Sequence, residues 1–133
     1  IISVPGASDY FKGGIISYTN DVKENVLGID SQLLKEKTAV CEDVAIAMVK
    51  GAIRVLNVDF AISTTGVAGP GGGTHEIPVG TIWIACGNKD NIVTMKLEED
   101  YGRDINLAIA TSKALQLFLK YMEDNKEMLG VKD

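Results

Sequence analysis

The chain has 133 residues, of which 46% are hydrophobic and 23% are charged, and its formal net charge is −5. This composition is that of one ordinary globular domain. No apolar run approaches the roughly 20 residues that a membrane-spanning helix needs, so we expect no membrane interaction. An acidic chain with scattered lysines and arginines also disfavours nucleic acid as a partner, because that binding depends on neutralised phosphates.

The sequence contains no credible metal site. The two cysteines, Cys41 and Cys86, form no Cys-x-x-Cys pair, and His75 is the single histidine. Zinc sites need a closely spaced set of such ligands. We therefore expect no metal and no other cofactor, and two reduced structural thiols of the kind found in cytoplasmic proteins.

The first third of the chain predicts one strand followed by two short helices. Residues Ile15–Tyr18 follow a pair of glycines and form an apolar run that indicates a strand. Asn20 is a suitable cap for a helix that Gly28 would end. Ser31 is a suitable cap for a second short helix.

The remainder predicts a helix, three strands and a last helix. Apolar residues recur at helical spacing over 42–57, and short apolar runs at 59–64 and 79–87 indicate interior strands. Residues 92–97 alternate like a hairpin partner, and a long helix is predicted over 103–124. The face of that helix predicted to be buried carries Ala108, Leu115, Phe118 and Met122. The alternation of helices and strands predicts an α/β fold.

A glycine-rich loop connects the first two of these strands. Ligands in open α/β sheets bind beyond strand ends, and successive backbone N–H groups in a concavity form an anion site. We therefore expect the loop to bind an anion or a nucleotide. Its candidate ligands are Thr65, Gly66, Gly69, Gly71, Gly72, Gly73 and Thr74. The alternative is a flexible connection, since the loop matches neither a Walker motif nor a dinucleotide-binding fingerprint.

Two basic residues at predicted helix starts are further candidates. Lys23 lies in the first turn of a helix, where the helix dipole would lower its pKa towards that of a general base. The alternative is a solvated surface lysine. Arg103 opens the last helix and could bind a phosphate or carboxylate through two parallel hydrogen bonds. Its alternative is an ion pair with Glu98, Glu99 or Asp104.

Several stretches of the chain together resemble the CinA C-terminal domain family, whose members include nicotinamide-nucleotide amidases. The resemblance extends over essentially the whole chain in order. The stretches that carry it are Val4–Gly14, Tyr18–Lys23, Leu27–Gly28, Thr65–Thr74, Pro78–Trp83 and Gly102–Arg103. The family pattern has a Gly-Asp-Arg sequence at the last of these, whereas this chain lacks the aspartate.

The resemblance implies a three-layer α/β/α sandwich with a central mixed sheet. It also implies hydrolysis of nicotinamide mononucleotide (NMN) to nicotinate mononucleotide and ammonia, in a homo-oligomer in the cytoplasm. The family's nucleophile is a serine in a Glu-Ser-x-Thr-Gly-Gly motif, which does not occur in these residues. We therefore expect residues 1–133 to be a CinA C-terminal-type domain that lacks the N-terminal strand–turn–helix carrying that motif.

The implied reaction is acyl transfer from the carboxamide to that serine. Lys23 would act as its base and Tyr18 would orient the base. Backbone N–H groups near Gly66, or those of the Gly-Gly turn in the motif, would stabilise the oxyanion. The Gly69–Thr74 segment and Arg103 would hold the nucleotide phosphate. Two other interpretations remain open at this point: a regulatory nucleotide-binding module without turnover, and a structural oligomerisation domain.

Overall fold

The computed structural model describes residues 1–130 and shows a three-stranded sheet between helices. A short 3₁₀ turn at Ala7–Asp9 precedes the regular elements. The helices are α1 Asn20–Asn25, α2 Ser31–Lys37, α3 Glu42–Leu56, α4 Arg103–Asp124 and α5 Lys126–Leu129, and the strands are β1 Ala61–Gly66, β2 Ile82–Gly87 and β3 Ile92–Leu97. The prediction of β3 and α4 is confirmed to the residue.

The sheet has the order β1-β2-β3, and both neighbouring pairs are antiparallel. The expectation of a mixed sheet is therefore wrong for the described part of the chain. The reason lies in the connections, because a parallel pair needs a crossover that is usually helical. Here residues 67–81 join β1 to β2 and a four-residue turn joins β2 to β3, and neither connection contains a helix.

The strand predicted at Ile15–Tyr18 has no partner among the described residues. The segment alternates between half-buried and exposed side chains, and Ile16 is 89% exposed. Ile15 packs against the core beside α3. The prediction of a strand from this apolar run is therefore wrong for the described residues. A strand needs a neighbouring ladder, and that cannot be deduced from the segment itself.

Helices cover both faces of the sheet, which confirms the three-layer α/β/α arrangement. Along β2 the side chains alternate, so that Ile82, Ile84 and Cys86 pack against α4. Ala85 faces the other way, towards the fully buried Ala45 and Val49 of α3 in a second cluster. The sheet therefore forms the middle layer, and β2 is its most buried strand.

The buried face of α4 lies beside the predicted one. Its buried residues are Asn106, Ala110, Ala114, Leu117 and Tyr121. Of the predicted set, Ala108 is exposed, Leu115 is 36% exposed, and Phe118 and Met122 pack only at the edge of the cluster. The prediction followed the largest apolar side chains, whereas alanines on the buried face let the helix approach the sheet closely.

A third apolar cluster packs α2 and the residues that follow α1 against α3. Its buried members are Leu27, Ile29, Leu34, Val44 and Met48. Thr19 caps α1, and Asp30 caps α2 through a 2.9 Å bond from the Gln32 amide, so each cap lies one residue before the predicted one. Within residues 1–130, no helix combines the length and apolarity that a membrane span requires.

Candidate functional site

The glycine-rich loop is closed by its own hydrogen bonds. At its base, the Val67 amide donates to Thr81 O at 2.9 Å and the Gly80 amide donates to Val67 O at 2.8 Å. Near its tip, the Thr74 amide donates to Ile77 O at 2.9 Å, and the Ile77 amide donates to the Thr74 hydroxyl at 3.0 Å. These bonds favour a defined conformation over a flexible connection.

The glycines of the loop have two different surroundings. A Cβ atom at Gly69, where φ is +85°, would lie 2.4 Å from Val79 Cγ1, and one at Gly73 would lie 2.7 Å from the Val79 backbone nitrogen. Both positions therefore require glycine for close packing. A Cβ atom at Gly71 would meet nothing within 4 Å, and Gly72 is nearly as open.

The tip of the loop presents backbone donors to solvent. Residues Gly71, Gly72 and Gly73 are exposed, and within residues 1–130 their three amide N–H groups donate to no protein acceptor. Consecutive unpaired N–H groups of this kind can bind an anion. The structure therefore keeps the three central glycines of the predicted set available to a ligand.

Thr65 and Gly66 lie in β1 and already have structural partners. The Thr65 side chain is buried, and its hydroxyl donates to Ala39 O at 2.7 Å. A Cβ atom at Gly66 would lie 2.7 Å from Ile82 Cγ1, so this residue needs to be glycine because β2 passes close by. A ligand-binding role for these two residues stays a prediction.

Arg103 reaches the loop from the start of α4. Its Nη1 donates to Gly69 O at 2.9 Å, and the side chain is otherwise exposed. No ion pair of the described residues involves Arg103. The guanidinium group has five N–H donors, so this one bond leaves others available for an anion beside the loop.

Sequence reasoning missed Asn106, which joins the same loop to α4. Its side chain is 2% exposed. Its Nδ2 donates to Ala68 O at 3.1 Å and to Asp100 Oδ1 at 2.9 Å, and its Oδ1 accepts from the Tyr101 amide at 2.9 Å. The bond from Asn106, together with one from the Gly102 amide, lowers the pKa of Asp100.

Lys23 is buried although it carries an amine. Its side chain is 7% exposed, and its Nζ donates to the backbone carbonyl of Ser17. Burial lowers the pKa of Lys23, so the physical cause is loss of hydration, whereas the sequence argument invoked the helix dipole. A lowered pKa increases the fraction of neutral amine, which is the form that acts as a base.

The predicted catalytic pair is not joined to the loop. Tyr18 is 80% exposed, and the hydrogen bond that orients Lys23 is donated by its Nζ to the Ser17 carbonyl oxygen. In the part of the chain that the structure describes, no hydrogen bond or ion pair connects Lys23 or Tyr18 to the glycine-rich loop. The structure thus brings together the loop, Arg103 and Asn106, and the catalytic roles of Lys23 and Tyr18 stay predictions.

Neither cysteine nor any acidic cluster adds to this site. Cys86 is fully buried, and burial raises its pKa to about 11, so the side chain is a neutral thiol at physiological pH. Across residues 1–130, no three His, Cys, Asp or Glu side chains lie close enough together to hold a metal ion.

The comparison with known families matches the chain to one of them. The sequence model of the CinA C-terminal domain matches residues 1–122. The chain belongs to this family. CinA-like proteins from Gloeobacter violaceus and Amoebophilus asiaticus are 40% and 37% identical to it, over 98% and 92% of the chain. This CinA-type chain spans 31% and 30% of the length of those two relatives.

Solved CinA structures share the α/β fold. The competence/damage inducible protein CihA from Agrobacterium tumefaciens is 34% identical, with a TM-score of 0.83 over 90% of this chain and 73% of that chain. A competence-damaged protein (CinA) superfamily protein from Escherichia coli is 30% identical, with a TM-score of 0.86 over 90% of this chain and 70% of that chain.

Proposed function

We propose that this CinA-type domain belongs to an enzyme that hydrolyses the carboxamide of NMN to a carboxylate and releases ammonia. The observation that carries the proposal is the tip of the glycine-rich loop, where the N–H groups of Gly71–Gly73 are unpaired within residues 1–130 and follow the Gly69 carbonyl that Arg103 binds. A phosphate monoester is the part of NMN that such a site would bind. The phosphate would accept hydrogen bonds from the amides and from the free guanidinium N–H groups.

The proposed chemistry is acyl transfer through a serine. The serine of the family's Glu-Ser-x-Thr-Gly-Gly motif would attack the carboxamide carbon while its proton passes to the neutral amine of Lys23. Lys23 would then protonate the leaving nitrogen, which departs as ammonia, and water would hydrolyse the acyl-enzyme. Backbone N–H groups would stabilise the oxyanion, and Tyr18 would help to orient the amine. The motif itself is absent from residues 1–133.

A second candidate function is a nucleotide-binding regulatory module without turnover. The observation that favours it is that Lys23 is not connected to the glycine-rich loop. No hydrogen bond of the described residues links the two. A module of this kind would bind the same phosphate through the loop and Arg103. It would need neither Lys23 nor a nucleophile.

Incubation of the complete protein with NMN separates these functions. Ammonia and nicotinate mononucleotide would be quantified, and binding of NMN would be measured by calorimetry in parallel. Equal yields of the two products over many turnovers would support the amidase. Binding without product would contradict the amidase and support the regulatory module. Absence of both would contradict both functions and leave a structural role.

Replacement of Arg103 by alanine is expected to raise KM for NMN about tenfold or more, with a smaller effect on kcat, because a charge-assisted bond to phosphate is lost. Arg103→Lys should restore only part of the affinity, since lysine keeps the charge but cannot form the paired bonds. Steady-state kinetics on the three proteins checks this expectation.

Lys89→Ala is the matched control for Arg103→Ala. Lys89 is an exposed cation in the turn between β2 and β3, at the end of β2 opposite to the loop. The Lys89→Ala substitution removes one positive charge, as Arg103→Ala does, and leaves the contacts of the loop unchanged. Equal KM values for Arg103→Ala and Lys89→Ala would contradict a phosphate contact by Arg103.

A further inference from the structure

Asn106 connects three separate segments through one buried amide. The side chain is in α4, while its partners are Ala68 in the loop and Asp100 and Tyr101 in the connection between β3 and α4. Both its oxygen and its nitrogen are engaged, and its own backbone amide donates to Gly102 O at 2.8 Å. A buried amide with this many partners holds them in one geometry, because any change leaves a buried polar group unpaired.

The hydrogen bonds of the Asn106 side chain fix two different parts of the chain. Asp100 and Tyr101 are near neighbours of Asn106 in sequence, so those bonds shape the start of α4. The bond to Ala68 O spans 38 positions and ends on the loop. The next carbonyl along the loop, that of Gly69, accepts from Arg103. Two consecutive loop carbonyls are therefore bound to α4, and only Pro70 separates them from the three exposed glycines.

We infer that Asn106 is a positioning residue for the glycine-rich loop, which it holds in the conformation that binds the nucleotide phosphate. The inference rests on the proposed function for the identity of the ligand, but its structural part concerns the loop alone. A residue that only caps α4 would affect the stability of the fold. A residue that positions the loop would also affect how the tip moves and how tightly it binds phosphate.

Variants that exchange the side-chain amide of Asn106 and the carboxylate of Asp100 separate the two roles. Asn106→Asp keeps the size and the acceptor for the Tyr101 amide but cannot donate to Ala68 O or to Asp100. The double variant Asn106→Asp with Asp100→Asn restores the bond between positions 100 and 106 with its direction reversed, at the expense of the bond from the Gly102 amide, which uses the same Asp100 oxygen. It still provides no donor to Ala68 O. Asp100→Asn alone keeps every bond and is the matched control.

Three properties are measured for each of these variants and for the unmodified protein. They are the thermal midpoint of unfolding, hydrogen exchange over residues 67–80 by mass spectrometry, and the kinetics of NMN hydrolysis in the complete protein. In Asn106→Asp we expect loop exchange to become about tenfold faster and KM to rise about tenfold, with kcat little changed. In the double variant the midpoint should recover towards wild type, while loop exchange and KM stay altered. Asp100→Asn should match wild type in loop exchange and in KM, with at most a small loss in the midpoint because its hydrogen bonds no longer go to a carboxylate.

Recovery of loop exchange and KM to wild-type values in the double variant would overturn the inference. Asn106 would then only cap the start of α4. Should Asn106→Asp not fold, the double variant and Asp100→Asn still provide the deciding comparison. If the wild-type protein does not hydrolyse NMN, the proposed function fails on its own. Loop exchange then decides the positioning role, so the two failures are distinguishable.

Discussion

Replacement of Lys23 by alanine is expected to lower kcat for NMN hydrolysis about 10²- to 10⁴-fold in the complete protein, the usual contribution of a positioned base. The physical reason is that Lys23 is buried and its pKa is lowered by loss of hydration, so more of it is the neutral amine that can accept a proton. Its Nζ is directed by the Ser17 carbonyl. Single-turnover and steady-state assays with NMN measure the effect.

Lys50→Ala is the control, because Lys50 is an exposed lysine of α3. It should retain wild-type kcat. Lys23→Arg should be inactive at every pH, since a guanidinium does not lose its proton. In the wild type, kcat should increase as the pH rises through the pKa of Lys23. Wild-type turnover in Lys23→Ala would remove Lys23 from the mechanism.

The lowered pKa of Lys23 also has a consequence for stability. Its ordinary value is 10.5, so between the folded-state pKa and 10.5 the unfolded chain binds more protons than the folded one. The free energy of unfolding of the wild type should therefore rise relative to that of Lys23→Ala as the pH increases through this interval. Urea titrations across alkaline pH measure this difference, and an opposite slope would contradict the burial of the amine.

Replacement of Tyr121 by alanine is expected to lower the free energy of unfolding by about 3–5 kcal/mol. Tyr121 is 2% exposed and packs its ring against Phe60 and Phe118, with centroid distances of 6.1 Å and 6.4 Å. Its hydroxyl donates to Asn91 O at 3.1 Å, which ties α4 to the turn between β2 and β3. Removing the ring opens a cavity between α4 and the sheet. Denaturant unfolding measures the loss.

Two companion variants separate the ring from the hydroxyl and the core from the surface. Tyr121→Phe keeps the ring and should lose only about 1 kcal/mol, the value of one hydrogen bond. Leu119→Ala, in the same helix but 69% exposed, should change stability by no more than about 0.5 kcal/mol. Comparable losses in Tyr121→Ala and Leu119→Ala would contradict the placement of the core.

Most of the regular structure could be predicted because its signals are local. Alternation over Ile92–Leu97 and helical spacing over Arg103–Asp124 depend only on neighbouring residues, and both elements have the predicted bounds. The glycine-rich loop was also visible, since its glycine density has few uses apart from close packing and ligand contact. The structure assigns Gly69 and Gly73 to close packing and leaves Gly71 and Gly72 open.

The missed features depend on contacts between distant residues. The expected mixed sheet and the strand at Ile15–Tyr18 both required knowledge of strand partners. Asn106 was missed because the buried face of α4 was placed on the wrong residues. A weak signal was present: Asn106 stands four and eight residues before Ala110 and Ala114, on a face whose other members are apolar. A polar residue on such a face has a partner or a function.

The site combines a fixed loop with a free tip. Its base is closed by backbone bonds, and the carbonyls of Ala68 and Gly69 are held by Asn106 and Arg103. Its central glycines carry amides that are unpaired within residues 1–130. A site held in its binding conformation loses less conformational entropy when the ligand arrives. The proposed function therefore depends on binding of the phosphate by this prearranged turn.

Titration of the isotope-labelled chain with NMN, followed by amide NMR, tests whether this turn binds the phosphate. We predict that the largest shifts occur at the amides of Gly71, Gly72 and Gly73, together with the guanidinium of Arg103. The groove between β3 and α4, lined in part by Lys96, Glu98, Glu99, Tyr101 and Lys113, is a second surface near the start of α4. Largest shifts at that groove, with the three glycine amides unchanged, would contradict binding of the phosphate by this turn.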